Sequence, residues 1–176
     1  FNSLSIPSLG TYNFSHADIL TFNTSGLQTL EVVISNVNGL MNDFNPANDS
    51  ISTQIEAVDY ATFGNRDYIY YHASSAPPNC PLVLVFHGYS GTAQGIMDYS
   101  EFNTLAEEFG FAVCYPQGTL DGSNTTFFNV GYDFQNNQTV DDVAFVEGLV
   151  DSLQAMYSLS EQDVFSTGMS NGGDFS

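Results

Sequence analysis

Positive charge is almost absent from this chain. Arg66 is its one lysine or arginine against 20 acidic residues, so the formal net charge is −19. Proteins that bind nucleic acid need cations to replace the phosphate counterions, and attraction to an anionic membrane surface needs cations too. The composition therefore argues against both functions. It predicts a solvated, acidic surface suited to a salty exterior, and we expect an extracellular location.

Long apolar runs, tryptophan and clustered metal ligands are also missing. No run of about 18 apolar residues occurs, so no membrane-spanning helix is predicted. The acidic residues are scattered without the spacing of a calcium loop, and neither a metal site nor a cofactor is predicted. The two cysteines, Cys80 and Cys114, border or lie in predicted buried strands. A lone thiol packs there as a small apolar side chain, so we expect both to be unpaired.

The first part of the chain consists of short, closely spaced strand patterns. They cover residues 10–14, 19–22, 30–35 and 50–55, with turns that contain Asn and Gly between them. Such spacing predicts a β-sandwich. The pattern resembles the last part of a bacterial, cell-adhesion-related β-sandwich module, which implies a binding or spacer role for residues 1–58. Because the chain opens on Phe1 in what reads as mid-domain sequence, we expect it to be truncated there.

From residue 59 onwards, strand and helix patterns alternate. Continuous apolar runs predict buried strands, and apolar residues three or four positions apart predict helices. The expected strands are 66–71, 81–86, 111–115 and 164–167, and the expected helices are 102–109 and one that begins at 139–142. The buried stripe of the second helix is expected to be Val143, Val146, Val150, Leu153 and Tyr157. Residues 59–176 are therefore predicted to form an α/β domain, an open parallel sheet with flanking helices.

The sequence Gly168-Met169-Ser170-Asn171-Gly172-Gly173 has the Gly-x-Ser-x-Gly spacing of a serine hydrolase. It follows the last predicted strand. In such a turn the serine is held in a strained conformation at the corner between a strand and a helix. The glycines two residues to either side remove Cβ atoms that would clash at this corner. Ser170 is therefore the candidate nucleophile.

A serine nucleophile works with an oxyanion hole, a pair of donors for the negative oxygen of the tetrahedral intermediate. In this kind of turn the backbone N–H of the residue after the serine, here Asn171, supplies one donor. The second should come from the loop after an earlier strand. His87-Gly88-Tyr89 follows the predicted strand at 81–86 and lies at the right place. We expect the amide of Gly88 or Tyr89 to complete the oxyanion hole.

The base and the acid of a catalytic triad are not found among the preceding residues. The three histidines are His16, His72 and His87. The first two fit surface or packing positions, and we interpret His87 as structural. Asp141 and Asp142 fit the start of a helix, and Asp174 is too close to the serine in sequence. Because the acid and the histidine follow the serine in hydrolases with this turn, we expect both beyond Ser176 and negligible activity from these 176 residues alone.

Five sequence blocks occur in a fixed order. They are Pro81–Tyr89, Ala106–Phe111, Tyr115–Gly118, Val140–Val143 and Gly168–Gly173. Together they resemble the polyhydroxybutyrate depolymerase family of α/β-hydrolases, which is related to feruloyl and acetylxylan esterases. The resemblance covers about residues 66–176 and implies a truncated α/β-hydrolase, roughly the first half of the catalytic domain. By position it implies Ser170 as the nucleophile, and the amides of Asn171 and of Gly88 or Tyr89 as the oxyanion hole.

The resemblance implies a secreted serine esterase that acts through an acyl-enzyme on a polyester or on a plant or algal polysaccharide ester. Three alternatives stay open. The first is a feruloyl or acetylxylan carbohydrate esterase. The second is a peptidase similar to prolyl oligopeptidases, although the blocks Tyr115–Gly118 and Val140–Val143 favour an esterase. The third is a non-catalytic surface adhesion protein, which the sandwich segment suggests.

Overall fold

The computed structural model describes residues 25–33, 50–135 and 139–176. Two compact units divide the chain, one of residues 1–23 and 28–55 and one of residues 24–27 and 56–176. In chain order the elements are β1 (Gly26–Val33), β2 (Ser50–Ala57), β3 (Asp59–Phe63), β4 (Arg66–His72), β5 (Leu82–Phe86), α1 (Ala93–Ser100), α2 (Phe102–Phe109), β6 (Ala112–Pro116), β7 (Thr119–Leu120), β8 (Thr126–Phe127), a 3-10 helix (Asp133–Gln135), α3 (Asp142–Tyr157), β9 (Val164–Gly168) and α4 (Asn171–Phe175).

In the first unit the structure describes parts of β1 and β2, which pair as a two-stranded sheet. Both strands overlap segments for which the sequence predicts strands. The two earlier strand patterns, at 10–14 and 19–22, lie outside the described residues. The β-sandwich and its boundary at residue 58 therefore stay predictions.

The second unit is built around a five-stranded sheet with the order β3-β4-β6-β5-β9. β5 pairs in parallel with β6 on one side and with β9 on the other. The chain passes from β5 through α1 and α2 to β6, and then through α3 to β9 on the opposite side of β5. The strand order therefore reverses at β5. In α/β sheets, ligand sites form outside the carboxyl ends of the strands at such a reversal.

The predicted parallel pairing is correct for β5, β6 and β9 and wrong for β4, and the edge strand β3 was not predicted. β4 runs antiparallel to both β3 and β6. The connections explain this, because the two residues Gly64 and Asn65 allow only a hairpin between β3 and β4, and residues 73–81 link β4 to β5 without a helix that could cross the sheet. β5, β6 and β9 are joined by helical crossovers, which parallel neighbours require. The sheet is therefore mixed, with helices on both faces.

Both faces of the sheet are covered, which explains the continuous apolar runs in its central strands. Successive residues of a strand point to opposite faces, so each strand contributes to two cores. The core on the α3 side includes Tyr70, Leu82, Leu84, Phe86, Leu149 and Leu153. The core on the side of α1 and α2 includes Ile69, Tyr71, Val85, Ile96, Ala106 and Val113.

One part of the predicted stripe on α3 is wrong. Leu153 is buried as expected, but Val143 is 57% exposed. The buried stripe instead begins at Asp142, whose side chain turns inward, and continues through Leu149 to Leu153. Since successive helical residues are rotated by about 100°, an inward Asp142 turns Val143 towards solvent. Apolarity alone could not reveal this register, because the first inward residue is charged.

The helix α1 was not predicted from the sequence. α1 has eight residues, with Thr92 as its N-cap accepting the N–H of Gly95 at 2.9 Å. Its sequence is too short and too polar to give a clear periodic pattern. Among the residues that the structure describes, no helix is long and apolar enough to cross a membrane.

The two cysteines are unpaired and buried, as the sequence predicts. Cys80 precedes β5, and Cys114 lies in the middle of β6. Burial raises the pKa of both thiols. Both therefore stay protonated at neutral pH and act as small apolar side chains of the core.

Candidate active site

The chain makes a sharp corner at Ser170. β9 ends at Gly168, α4 begins at Asn171, and Ser170 lies at the N-cap of α4 with φ 51° and ψ −120°. Residues other than glycine rarely adopt a positive φ, because their Cβ then crowds the backbone, so this conformation is strained. Ser170 is exposed despite its position between two packed elements. The predicted turn is present, and the catalytic role of Ser170 stays a prediction.

Two glycines allow β5, β9 and α4 to meet at this corner. A Cβ on Gly168 would lie 2.4 Å from the carbonyl oxygen of Gly172. A Cβ on Gly172 would lie 2.4 Å from the carbonyl oxygen of Phe86 and 2.5 Å from that of His87. These contacts are to backbone atoms, which cannot swing aside as a flexible side chain could. The sequence argument that the corner needs glycine on both sides is therefore correct.

The loop after β5 lies against the serine corner. Met169 donates its N–H to the carbonyl oxygen of Phe86 at 3.1 Å. A Cβ on Gly88 would lie 3.2 Å from the Cε and the carbonyl oxygen of Met169 and 3.6 Å from the Cβ of Ser170, so the loop packs directly against the corner. Within the loop, Gly91 donates its N–H to the carbonyl oxygen of Gly88 at 2.9 Å and closes a tight turn. The structure thus brings the Gly88 backbone beside Ser170.

Asn171 is buried, and its side chain is paired with the backbone of Phe128. Its Oδ1 accepts the N–H of Phe128 at 2.8 Å, and its Nδ2 donates to the Phe128 carbonyl at 2.9 Å. Because Asn171 is the first residue of α4, its own N–H has no acceptor within that helix. The sequence analysis considered only this amide and missed the side chain. An amide side chain directly after the serine is the signal that could have suggested it.

His87 is buried beneath the same loop, and both of its ring nitrogens are engaged. Nε2 accepts the N–H of Gly118 at 2.9 Å, which leaves Nδ1 to donate to the carbonyl oxygen of Gly88 at 2.7 Å. Burial lowers the pKa of the imidazole, and the charge of Arg66 acts in the same direction. The ring is therefore neutral and already fully bonded. This geometry fits a structural residue rather than a general base.

His72 is not part of this corner. His72 ends β4 and lies in register with Ala112, at the start of β6. It is therefore at the opposite edge of the sheet from the loop that carries Ser170. Its Nδ1 lies 2.8 Å from the hydroxyl oxygen of Tyr70. His16 lies outside the described residues.

The three candidate acids have other partners. Asp141 is the N-cap of α3 and accepts the N–H of Ala144 at 2.9 Å, so its predicted role at the helix start is confirmed. Asp142 is buried and paired with Arg66, a role that the sequence analysis missed. Asp174 accepts the hydroxyl of Tyr132. Within residues 25–33, 50–135 and 139–176, no group of three metal-ligand side chains occurs.

An aromatic wall of three residues, Tyr89, Tyr132 and Phe134, borders the corner. The rings of Tyr89 and Phe134 meet edge to face with centroids 5.6 Å apart, and those of Tyr132 and Phe134 stack at 5.1 Å. The Tyr132 hydroxyl reaches Asp174, one turn after Ser170, and the Tyr89 hydroxyl donates to Asp121. Phe134 is 60% exposed. The wall therefore presents an exposed apolar surface next to α4.

Comparison with known proteins places the chain among esterases. The sequence profile of the family described as "Esterase PHB depolymerase" matches residues 66–176. The chain is 31% identical over 110 residues to the bifunctional acetylxylan esterase/xylanase XynS20E of Neocallimastix patriciarum, a match that covers 62% of this chain and 15% of that protein. It is 28% identical over 109 residues to poly(3-hydroxyalkanoate) depolymerase C of Paucimonas lemoignei, covering 62% of this chain and 26% of that protein.

Solved structures show the same architecture. The acetyl xylan esterase from Aspergillus awamori superposes with a TM-score of 0.53 and 22% sequence identity, over 66% of this chain and 43% of that one. At this identity the likeness concerns the fold, which is that of an α/β-hydrolase. The matches span between 15% and 37% of the length of the curated relatives.

Proposed function

The chain belongs to the esterase PHB depolymerase family, and on this basis we propose that it forms the nucleophile-bearing part of a secreted serine esterase. Ser170 is the nucleophile, and the amides of Asn171 and of Gly88 or Tyr89 form the oxyanion hole. The observation that carries this proposal is the strained corner at Ser170, packed against the Gly88 loop. Both lie where the strand order reverses, at the carboxyl ends of β5 and β9.

The proposed reaction has two steps. The Oγ of Ser170 attacks the ester carbonyl carbon while its proton passes to a general base, and the carbonyl oxygen becomes negative. The two backbone amides stabilise this oxygen, and the ester C–O bond then breaks as the base returns the proton to the leaving alkoxide. Water attacks the resulting acyl-enzyme in the same way and releases the carboxylic acid and the free serine.

The general base and its acid partner are assigned to the chain after Ser176. In α/β-hydrolases the triad follows the order serine, acid, histidine. This order agrees with the two described histidines, since His87 is fully bonded and His72 lies at the other edge of the sheet. We therefore expect the full gene product to be active and residues 1–176 alone to have negligible activity, because loss of a triad member costs several orders of magnitude.

The preferred substrate class is a polyester of hydroxyalkanoates. The exposed aromatic wall beside Ser170 supports it, because Phe134 offers a flat apolar face with which the methylene groups of such a chain can pack. An exterior substrate of this kind also fits the acidic composition of the chain.

A carbohydrate ester is the second candidate. The 31% identity to an acetylxylan esterase/xylanase favours it, although the match covers only 15% of that protein. The two candidates differ in the alcohol that leaves after attack by Ser170, a hydroxyacyl chain end in one case and a sugar hydroxyl in the other. Substrate comparison therefore separates them.

The test is ester turnover by the full gene product. We expect hydrolysis of short p-nitrophenyl esters and of poly(3-hydroxybutyrate) film, and a loss of at least about a thousandfold in Ser170→Ala, because the proposed acyl-enzyme forms on the Oγ of Ser170. Acetylated and feruloylated xylan and a dipeptide amide serve as competing substrates. Faster turnover of a xylan ester would support the second candidate, and turnover that is unchanged in Ser170→Ala would contradict the proposal.

A further inference from the structure

Arg66, the one lysine or arginine of the chain, is buried in the second unit rather than exposed. Its Nη1 donates to Oδ1 of Asp142, and its Nε and Nη2 donate to the carbonyl oxygen of Gln117 at 3.2 and 3.1 Å. Its guanidinium carbon lies 3.8 Å from the ring centroid of Phe145. The exposed fractions of the Arg66 and Asp142 side chains are 9% and 0%. A charge this deeply buried is tolerated only with such close partners.

One side of the ion pair leads to Asn171. The second carboxylate oxygen of Asp142 accepts the N–H of Asn129 at 2.6 Å. The preceding residue, Phe128, makes both backbone hydrogen bonds to the side chain of Asn171. Asp142 therefore fixes the backbone segment that holds the residue directly after Ser170.

The other side of the ion pair leads to Gly88. Arg66 holds the carbonyl of Gln117. The side-chain Nε2 of Gln117 lies 3.0 Å from the ring Nε2 of His87. The same ring nitrogen accepts the N–H of Gly118 at 2.9 Å. Nδ1 of the same ring donates to the carbonyl oxygen of Gly88 at 2.7 Å. The side-chain oxygen of Gln117 also accepts the N–H of Ala93 at 2.9 Å, so the segment after β6 is bonded to the start of α1.

We propose that the Arg66–Asp142 ion pair positions both halves of the oxyanion hole, the Asn171 amide through Phe128, and the amide of Gly88 or Tyr89 through Gln117 and His87. Arg66 and Asp142 are positioning residues, since neither touches the reacting atoms. The inference rests on the proposed function of Ser170. It adds that the positions of the two donor amides depend on this ion pair.

The physical consequence concerns the rate rather than binding. Oxyanion donors act when they lie about 2.7 to 3.1 Å from the oxygen of the transition state, so a small displacement weakens them. The ground-state ester carries no full charge on that oxygen and gains little from the same donors. Disturbing the ion pair should therefore lower kcat and leave KM nearly unchanged.

The experiment compares Asp142→Asn, Arg66→Lys and Glu107→Gln in the full gene product with a soluble p-nitrophenyl ester. Glu107 is the matched control, because it is another carboxylate that bonds to neighbouring chain segments, at the opposite edge of the sheet. Titration with a fluorophosphonate counts the reactive serines, so that kcat is expressed per folded site. We expect a loss of about tenfold to a hundredfold in kcat for Asp142→Asn and a smaller loss for Arg66→Lys, with KM within about twofold. Glu107→Gln should keep the wild-type kcat.

Each outcome bears on the inference. If Asp142→Asn yields no folded protein, Arg66→Lys decides, because it keeps the charge and loses the two bonds to the Gln117 carbonyl. The inference is overturned if the folded variants have the wild-type kcat per titrated serine, or if Glu107→Gln lowers kcat as much as they do. An inactive wild-type enzyme would instead contradict the proposed function itself.

Discussion

Glu107 and Asp142 accept hydrogen bonds at opposite edges of the same sheet, but their partners and their burial differ. Glu107 lies at the edge where β6 begins, and it accepts the Tyr71 hydroxyl at 2.7 Å and the N–H and hydroxyl of Ser74 at 2.7 and 2.6 Å. Asp142 lies at the edge where β6 ends, and it accepts one hydrogen bond from the Arg66 guanidinium and one from the backbone N–H of Asn129. Glu107 is partly exposed, whereas Asp142 is buried.

The difference shows that a hydrogen-bonded carboxylate can stabilise the fold, as at Glu107, or position a candidate site, as we propose for Asp142. Burial acts to raise the pKa of Glu107, but the hydrogen bonds from Ser74 and Tyr71 outweigh it and hold the pKa below its usual value. This carboxylate joins α2 to the segment after β4 and touches no part of the candidate site. Asp142 fixes the backbone beside Asn171. We therefore expect changes at Glu107 to affect stability alone and changes at Asp142 to affect the rate as well.

The largest loss of stability and activity should follow from adding a Cβ at Gly172, which lies beside Ser170 in close contact with the end of β5. In Gly172→Ala the new Cβ would lie 2.4 Å from the carbonyl oxygen of Phe86, so α4 or the end of β5 must move. We expect a loss of about 3 kcal/mol or more in the free energy of unfolding and loss of ester hydrolysis. Urea unfolding and a p-nitrophenyl ester assay of the full gene product measure both.

The adjacent glycine is the matched control for this substitution. A Cβ on Gly173 would lie 3.1 Å from the carbonyl oxygen of Gly168, a tight contact that a small shift relieves. Alanine also favours the helix over glycine by about 1 kcal/mol, which offsets part of the cost. Equal losses in Gly172→Ala and Gly173→Ala would show that the contact with β5 is not what makes Gly172 necessary.

A smaller effect is expected at the other edge of the sheet. Glu107→Gln replaces a carboxylate oxygen that accepts hydrogen bonds with an amide nitrogen that cannot. We expect a loss of about 1 to 2 kcal/mol in the free energy of unfolding, with an unchanged kcat per titrated serine. Thermal unfolding and the ester assay check this. A Glu107→Gln variant with normal stability and reduced kcat would contradict the view that Glu107 affects stability alone.

The smallest effect concerns the pH dependence of stability. Burial lowers the pKa of both His87 and His72. At His87 the hydrogen bond to the Gly88 carbonyl opposes this effect and the charge of Arg66 adds to it, whereas at His72 the carboxylates of both Asp59 and Glu107 oppose it. Below the usual histidine pKa of about 6.5 the unfolded chain takes up a proton that the folded ring resists, so the free energy of unfolding falls as the pH falls. His87→Gln should remove more of this slope than His72→Gln, measured by urea unfolding between pH 5 and pH 8. A larger reduction in His72→Gln would contradict the described surroundings of the two rings.

The parts of the fold that could be predicted from the sequence are those with a local signal. β5 and β6 are buried apolar runs, β9 directly precedes the Gly-x-Ser-x-Gly motif, and the corner at Ser170 is recognisable because glycine is needed at fixed distances from the serine. The direction of β4 was missed because it depends on the short links to β3 and β5, neither of which contains a helix. α1 was missed because its eight residues carry no clear period.

The support of the candidate site depends on contacts that no local pattern reveals. Arg66 and Asp142 are 76 positions apart, and a single cation among 20 acidic residues gives no sequence rule for choosing its partner. The pairing of Asn171 with Phe128 spans 43 positions and involves a backbone segment, which any residue type could provide. The inward turn of Asp142 also explains why Val143 is exposed. The burial of Asp142 therefore accounts both for its unpredicted pairing with Arg66 and for the exposed position of Val143.

The central claim is that Ser170 is an activated nucleophile, and covalent labelling tests it most directly. The full gene product is treated with a fluorophosphonate, and the modified peptide is located by mass spectrometry, with Ser170→Ala as the control. The account predicts one adduct on Ser170, absent from the variant and accompanied by loss of ester hydrolysis. Labelling of another residue, or hydrolysis that persists after Ser170 is fully modified, would contradict it.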